Sequence, residues 1–205
     1  QARATKVVTK PGKLTTHWGQ EYDGKLPAEF YLLRWEDASK QSTFWLAPPP
    51  GVPADVQGLS PDHRLLLQSF GGIRDQFQDW TSDESANFLL NHNGALCEPF
   101  IKMPLGWTQF YNLLEEEKRF ENNIFDDDYV VFAVEEGGNR TAYNKNDGTI
   151  LMFANDHNYH HITQLPGYPE FTLYTINDCP TFLSWVERVA EQWLQRDNKA
   201  AASRT

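Results

Sequence analysis

The strongest constraint in the chain is a stripe of large apolar residues near its C-terminal end. Phe182, Trp185, Val186, Val189, Ala190, Trp193 and Leu194 recur at i, i+3, i+4, i+7, i+8, i+11 and i+12, the repeat of one face of an α-helix. Asp178 and Cys179 precede Pro180, whose fixed φ suits a first helical turn. Such a face must be covered, because each large side chain fully buried contributes about 1.5–3 kcal/mol. The polar residues after it, 195–205, are expected to fray.

Strands are the natural cover. Tyr129-Val130-Val131-Phe132-Ala133-Val134 is a nearly continuous apolar run and reads as a buried strand. Arg140-Thr141-Ala142-Tyr143, Thr149-Ile150-Leu151-Met152-Phe153-Ala154 and Phe171-Thr172-Leu173-Tyr174-Thr175-Ile176 read as three more. Gly137-Gly138-Asn139 and Asn146-Asp147-Gly148 lie between strands, where residues that tolerate positive φ make turns.

The first half mixes strands and helices. Residues 1–27, punctuated by Pro11, Gly12, Gly19, Gly24 and Pro27, read as peripheral. Phe30–Trp35 and Ser42–Leu46 read as two strands, compatible with a hairpin. Ala47-Pro48-Pro49-Pro50-Gly51-Val52-Pro53 is a stiff connector, since proline breaks helix and central strand alike. Ser60, Pro61 and Asp62 open a helix. Leu65, Leu66 and Phe70 fall near one face, Leu67 flanks them, and Gly71-Gly72 end it. Ile73 to Trp80 turn back onto the core, and Phe88-Leu89-Leu90 marks a short segment ending at Asn93-Gly94. Residues 107–121 read as a further helix, with Trp107, Phe110, Tyr111 and Leu114 on one face and a charged end at Glu115-Glu116-Glu117-Lys118-Arg119. Helices and strands in this order define an α+β chain, and 205 residues suit one large domain. Residues 1–59 form an N-terminal extension of the same domain, 60–195 its main body and 196–205 a tail.

The net charge of −10 excludes nucleic acid as a partner, since phosphates would be repelled, and suits a basic one. No apolar run reaches the length of a membrane span. Two cysteines far apart, Cys97 and Cys179, make neither a disulfide framework nor a metal cluster and suit a reducing, cytoplasmic setting.

The search for chemistry yields little. Asp156-His157-Asn158-Tyr159-His160-His161 gathers three imidazoles and a carboxylate, but their spacing matches no common metal site and reads as a loop. Whether His157, His160 and His161 hold a metal is open at this point. Cys97 reads as a small buried hydrophobe rather than a nucleophile. Glu115, Glu116, Glu117, Glu121, Asp126, Asp127, Asp128, Glu135 and Glu136 crowd 22 residues, a solvated or partner-facing surface rather than a catalytic pair. The triplet Asn139-Arg140-Thr141 is a sequon that arises readily by chance. The sequence therefore predicts no catalytic residue and no cofactor.

Three pieces together resemble the SUKH superfamily, which includes a regulator of fungal cell-wall synthesis and many bacterial immunity proteins. They are Asp62–Phe70 running into Gly71-Gly72-Ile73; Phe132–Asn139 followed by Asn146–Phe153; and Cys179–Leu194 with its Phe182-Leu183 pair. Phe88-Leu89-Leu90-Asn91-His92-Asn93-Gly94 offers an alternative match to the early helix. The likeness spans residues 60–194. It implies helices packed around a twisted, mainly antiparallel sheet, and a protein that binds another protein. An immunity-type protein neutralises a toxin, here one with a basic domain such as a nuclease. A scaffold or regulator linked to cell-wall synthesis is the first alternative, and a carbohydrate-active hydrolase the second. The expected docking residues are Asp126, Asp127, Asp128, Glu135, Glu136 and Tyr143, with Gly137, Gly138 and Asn139 as a structural turn, on a monomer or weak homodimer.

Overall fold

In the computed structural model every residue of Ile150–Phe153 is buried, so this strand has cover on both faces. The structure describes residues 3–8, 29–36, 42–47, 49–52, 54, 56–74, 95–96, 103–114, 121–135, 138–155 and 160–202, some as backbone alone. Among them ten strands form one sheet: β1 (Arg3–Val8), β2 (Glu29–Glu36), β3 (Ser42–Ala47), β4 (Ile73–Arg74), β5 (Ala95–Leu96), β6 (Tyr129–Val134), β7 (Arg140–Asn144), β8 (Ile150–Phe153), β9 (Ile162–Gln164) and β10 (Leu173–Ile176). Their order is β1-β2-β3-β4-β5-β6-β7-β8-β10-β9, and every pairing is antiparallel. The helices are α1 (Pro61–Ser69), α2 (Trp107–Leu113) and α3 (Phe182–Ala202). The fold is α+β.

Alternation along the strands divides the core. Ile150 and Met152 join one cluster with Leu67 of α1 and Phe182, Trp185 and Val189 of α3. Leu151 and Phe153 join the other, with Leu105, Trp107 and Leu173, against which Phe110, Tyr111 and Tyr168 pack. A helix pair thus covers one face, and α2 with its flanking loops covers the other. This explains the unbroken apolar runs of β6 and β8, because neither face is left for polar residues.

A bulge in β6 modifies the alternation. Val130 pairs with Tyr143 and Val131 with Ala142, but Thr141 pairs with Ala133, leaving Phe132 as the extra residue. Phe132 and Ala133 consequently both belong to the α1/α3 cluster. The Phe132 ring meets Trp185 edge-on at 4.9 Å and Phe182 edge-on at 5.0 Å, and stacks on Tyr143 at 5.8 Å. Such pairs add about 0.5–1.5 kcal/mol each beyond area burial.

Several expectations are corrected. Within the first 27 residues, read as peripheral, β1 is the edge strand of the sheet and pairs along its length with β2. The hairpin of β2 and β3 is present, and Leu46 pairs with Arg74 to continue the sheet into the main body. The expected α1 stripe is shifted. Leu65 is 63% exposed, whereas His63 and Leu67 are fully buried and Leu66 and Phe70 pack against their cluster. Ser60 caps α1 as expected, its hydroxyl accepting from His63 N at 3.2 Å. The helix expected over 107–121 ends at Leu113, where Leu114 N closes onto Tyr111 O at 3.1 Å. Thr181, not a residue before Pro180, caps α3: its hydroxyl accepts from Ser184 N (3.2 Å) while Ser184 Oγ accepts from Thr181 N (2.9 Å). Ala190 is exposed, and α3 continues to Ala202, because Gln, Arg, Lys and Ala favour helix. The side chains of Trp193 and Leu194, the segment Phe88–Gly94, Cys97 and residues 115–120 lie outside the described residues.

Candidate functional site

The acidic stretch expected to dock a partner is a stapled turn. Residues 121–125 run along the α2 face, and Asp126–Asp128 form a 3-10 turn leading into β6. Asn122 Oδ1 accepts from the buried indole Nε1 of Trp107 (2.8 Å) and from Ile124 N (3.1 Å). Tyr168 packs its ring edge-on against Trp107 at 5.5 Å, and its hydroxyl accepts from Asn123 N at 3.3 Å. The Asp126 carboxylate accepts from Gly106 N (3.0 Å) and Thr108 N (3.1 Å), satisfying donors that the start of α2 leaves open. Lys145 donates its backbone N–H to Asp128 O (2.8 Å) and its ammonium to Asp127 O.

These staples sort the predicted residues. Asp126 is consumed by the start of α2, and Asp128 is half-buried beneath Lys145. Asp127 and Glu121 remain exposed. Glu135 is not a surface group: it is 6% exposed at the end of β6, and Asn139 Nδ2 donates to its Oε2 at 3.5 Å. Tyr143 is likewise withdrawn from any docking role. It is 1% exposed, because β7 turns it toward α1 and α3, where its ring meets His63 and Phe182. Glu136 and Gly137 lie outside the described residues. Gly138 makes the expected turn, with φ +85 and its N–H donating to Glu135 O at 2.9 Å. Asn139 is 1% exposed, which hides the sequon. His160 is exposed and His161 half-buried, while His157 lies outside the described residues. Among the described residues no group of three His, Cys, Asp or Glu side chains is placed to hold a metal.

The sequence reading missed Phe125. Its ring is 54% exposed at the start of the stapled turn, directly before Asp126. Only its position suggested it: a lone aromatic next to a carboxylate run. The turn thus presents an aromatic knob beside exposed Asp127, on a backbone held from three sides. That is an arrangement for contact, with an apolar anchor and a charged rim.

Gly106 is a hinge of this assembly. It takes φ +91, and a Cβ there would lie 2.4 Å from Arg140 Nη1, which donates to Pro104 O at 2.9 Å. Gly106→Ala is expected to lower stability by about 2 kcal/mol, from left-handed strain and loss of the Arg140 bond. Gly138→Ala, with φ +85 but nothing within 4 Å of the added carbon, is expected to cost about half as much. Urea unfolding of both variants measures the difference.

These features define the class: an α+β domain whose antiparallel sheet is covered on both faces at β6, β7 and β8 and carries a stapled acidic turn. Comparison of the chain with protein-family models, with curated proteins and with solved structures returned no match. Among the described residues no helix is long and apolar enough to cross a membrane.

Proposed function

We propose that the chain is a non-catalytic protein-binding module of the immunity type, acting in the cytoplasm by docking a basic toxin domain. The observation that carries the reading is the half-exposed Phe125 ring on a stapled turn beside exposed Asp127 and Glu121. Aromatic anchors on preorganised backbone give much of the energy of protein interfaces, because little entropy is lost on docking. The net charge of −10 favours a basic partner and speeds encounter with it. The resemblance of Phe132–Asn139, Asn146–Phe153 and Cys179–Leu194 to SUKH segments points the same way.

The test is co-expression with the product of the adjacent reading frame, followed by calorimetric titration of the purified pair. Protection of the cells and a saturable complex are expected. Phe125→Ala is expected to weaken the complex about 30-fold, as loss of a 2 kcal/mol anchor does, with an unchanged urea midpoint because the ring is largely outside the core. Asp127→Lys is expected to slow association and flatten its salt dependence. Failure to protect, with no complex formed, sinks the reading.

A further inference from the structure

His63 is fully buried on α1, although its neighbours Asp62 and Arg64 are exposed. Its ring stacks on Phe182 of α3 at 4.6 Å and meets Tyr143 of β7 and Phe132 of β6 edge-on at 5.8 and 6.5 Å. The Tyr143 oxygen accepts from Ser60 N at 3.1 Å and stands 3.0 Å from His63 Nδ1. The Tyr143 oxygen thus serves the start of α1 twice, through the Ser60 N–H and through the His63 ring. Nε2 is buried with no hydrogen-bond partner among the described residues. The neutral ring leaves one nitrogen unmatched. An imidazolium makes both ring nitrogens donors, keeps Nε2 without an acceptor and adds a buried charge. The titratable groups packed in the same core are Tyr143, Tyr174 and Cys179, and burial raises the latter two. The faces that β6 and α3 present to His63 are the uncharged rings of Phe132 and Phe182. Among the described residues no hydrogen bond or ion pair joins His63 to a carboxylate.

We propose that His63 is an acid-released latch: α1 stays docked on β6, β7 and α3 while the ring is neutral, and protonation frees α1 ahead of the sheet, uncovering Phe132, Tyr143 and Phe182. Two hydrogen bonds that tie α1 to the sheet meet at the Tyr143 oxygen, one from the Ser60 N–H at the helix start and one with the His63 ring. The strands of β6, β7 and β8 are held by their own ladders and by the α2 layer on the opposite face, so they have no need of the latch. Burial lowers the ring's proton affinity from the usual 6.5 to about 4, which agrees with the bonding pattern.

Native-state hydrogen exchange on the full chain tests the latch. Protection of the α1 amides is expected to be lower than that of the β7 and β8 amides at every pH and to fall about 20-fold between about pH 7 and about pH 5, beyond the intrinsic change in chemical rate, while the strand amides, which open only with the whole fold, keep the larger protection throughout. His63→Asn places an oxygen where Tyr143 can donate but cannot titrate, and is expected to abolish the extra loss. An equal pH-dependent loss in His63→Asn, or α1 protection that matches that of β7 and β8 across the pH range, overturns the proposal. Ring nitrogen resonances of the wild-type chain give a readout that needs no variant. A neutral His63 at about pH 5.5 is expected, and a ring that titrates at its ordinary value overturns the latch.

Discussion

Trp185→Ala is expected to lower the unfolding free energy by about 3–5 kcal/mol, the range for removing a large buried aromatic. Trp185 is fully buried where α3 crosses β6, edge-on to Phe132. The site is poorly placed to collapse, because the sheet beneath is pinned from its far side by Leu105, Trp107 and Leu173, and an unrelaxed cavity is the costlier kind. Domains are stable by about 5–15 kcal/mol, so this one change consumes a large share of the total. Two companions make the origin plain. Leu183→Ala, two residues earlier on the same helix and 46% exposed, is expected to move stability by less than about 0.5 kcal/mol. Trp185→Phe is expected to cost only about 1 kcal/mol. It leaves a smaller void and removes an indole N–H that is buried with no hydrogen-bond partner among the described residues. Urea unfolding read by far-UV circular dichroism orders the three. A Trp185→Phe variant as damaged as Trp185→Ala would show that the ring is held by its polar edge rather than by packing.

The two-sided sheet was legible in the sequence wherever burial on both faces removed polar residues. Tyr129–Val134 and Thr149–Ala154 are such runs, and the stripe from Phe182 to Val189 announced the helix that covers them. What stayed hidden follows from the same physics. β9 is an edge strand, Ile162-Thr163-Gln164, with one half-buried and two exposed residues, and so carries neither alternation nor an apolar run. β4 and β5 are two residues each, too short for any pattern. The α1 face was misread because histidine was counted as polar. His63, Leu66, Leu67 and Phe70 fall at i, i+3, i+4 and i+7, a regular stripe once the imidazole is treated as an apolar ring with a polar edge. The β6 bulge has no sequence mark either, because Phe132 suits either face. Of the expected docking residues, the run Asp126–Asp128 was found but its use was not. A carboxylate that caps a helix and one that faces a partner are the same letter, and only the geometry at Gly106 and Thr108 separates them. Tyr143 was read as a surface aromatic because its flanking residues, Ala142 and Asn144, give no sign of the histidine it meets from 80 positions away.

Acidification is expected to remove about 3 kcal/mol of global stability between about pH 7 and about pH 4 through His63 alone. Burial lowers its folded value from 6.5 to about 4, so within that interval the unfolded chain binds a proton that the folded chain refuses. Stability therefore rises with pH across the window: the contribution is fully present above 6.5 and is lost as the pH falls toward 4. A cation over the face of Phe182 would regain about 0.5–2 kcal/mol, which trims the loss without reversing its sign. The other shifted groups act elsewhere. Asp147 is held low by the backbone N–H of Thr149, so its contribution fades only below the ordinary carboxylate range. Burial raises Tyr129, Tyr174 and Cys179, and those contributions are lost on the alkaline side. Urea unfolding of the wild-type chain and of His63→Asn at a series of pH values isolates the effect, since every other group cancels in the difference. The difference curve is expected to slope by about 1.2 kcal/mol per pH unit near pH 5. A flat difference between pH 6.5 and pH 4 would mean that the imidazole reaches water or a counter-charge in the folded chain, and that the α1 contact tolerates its charge.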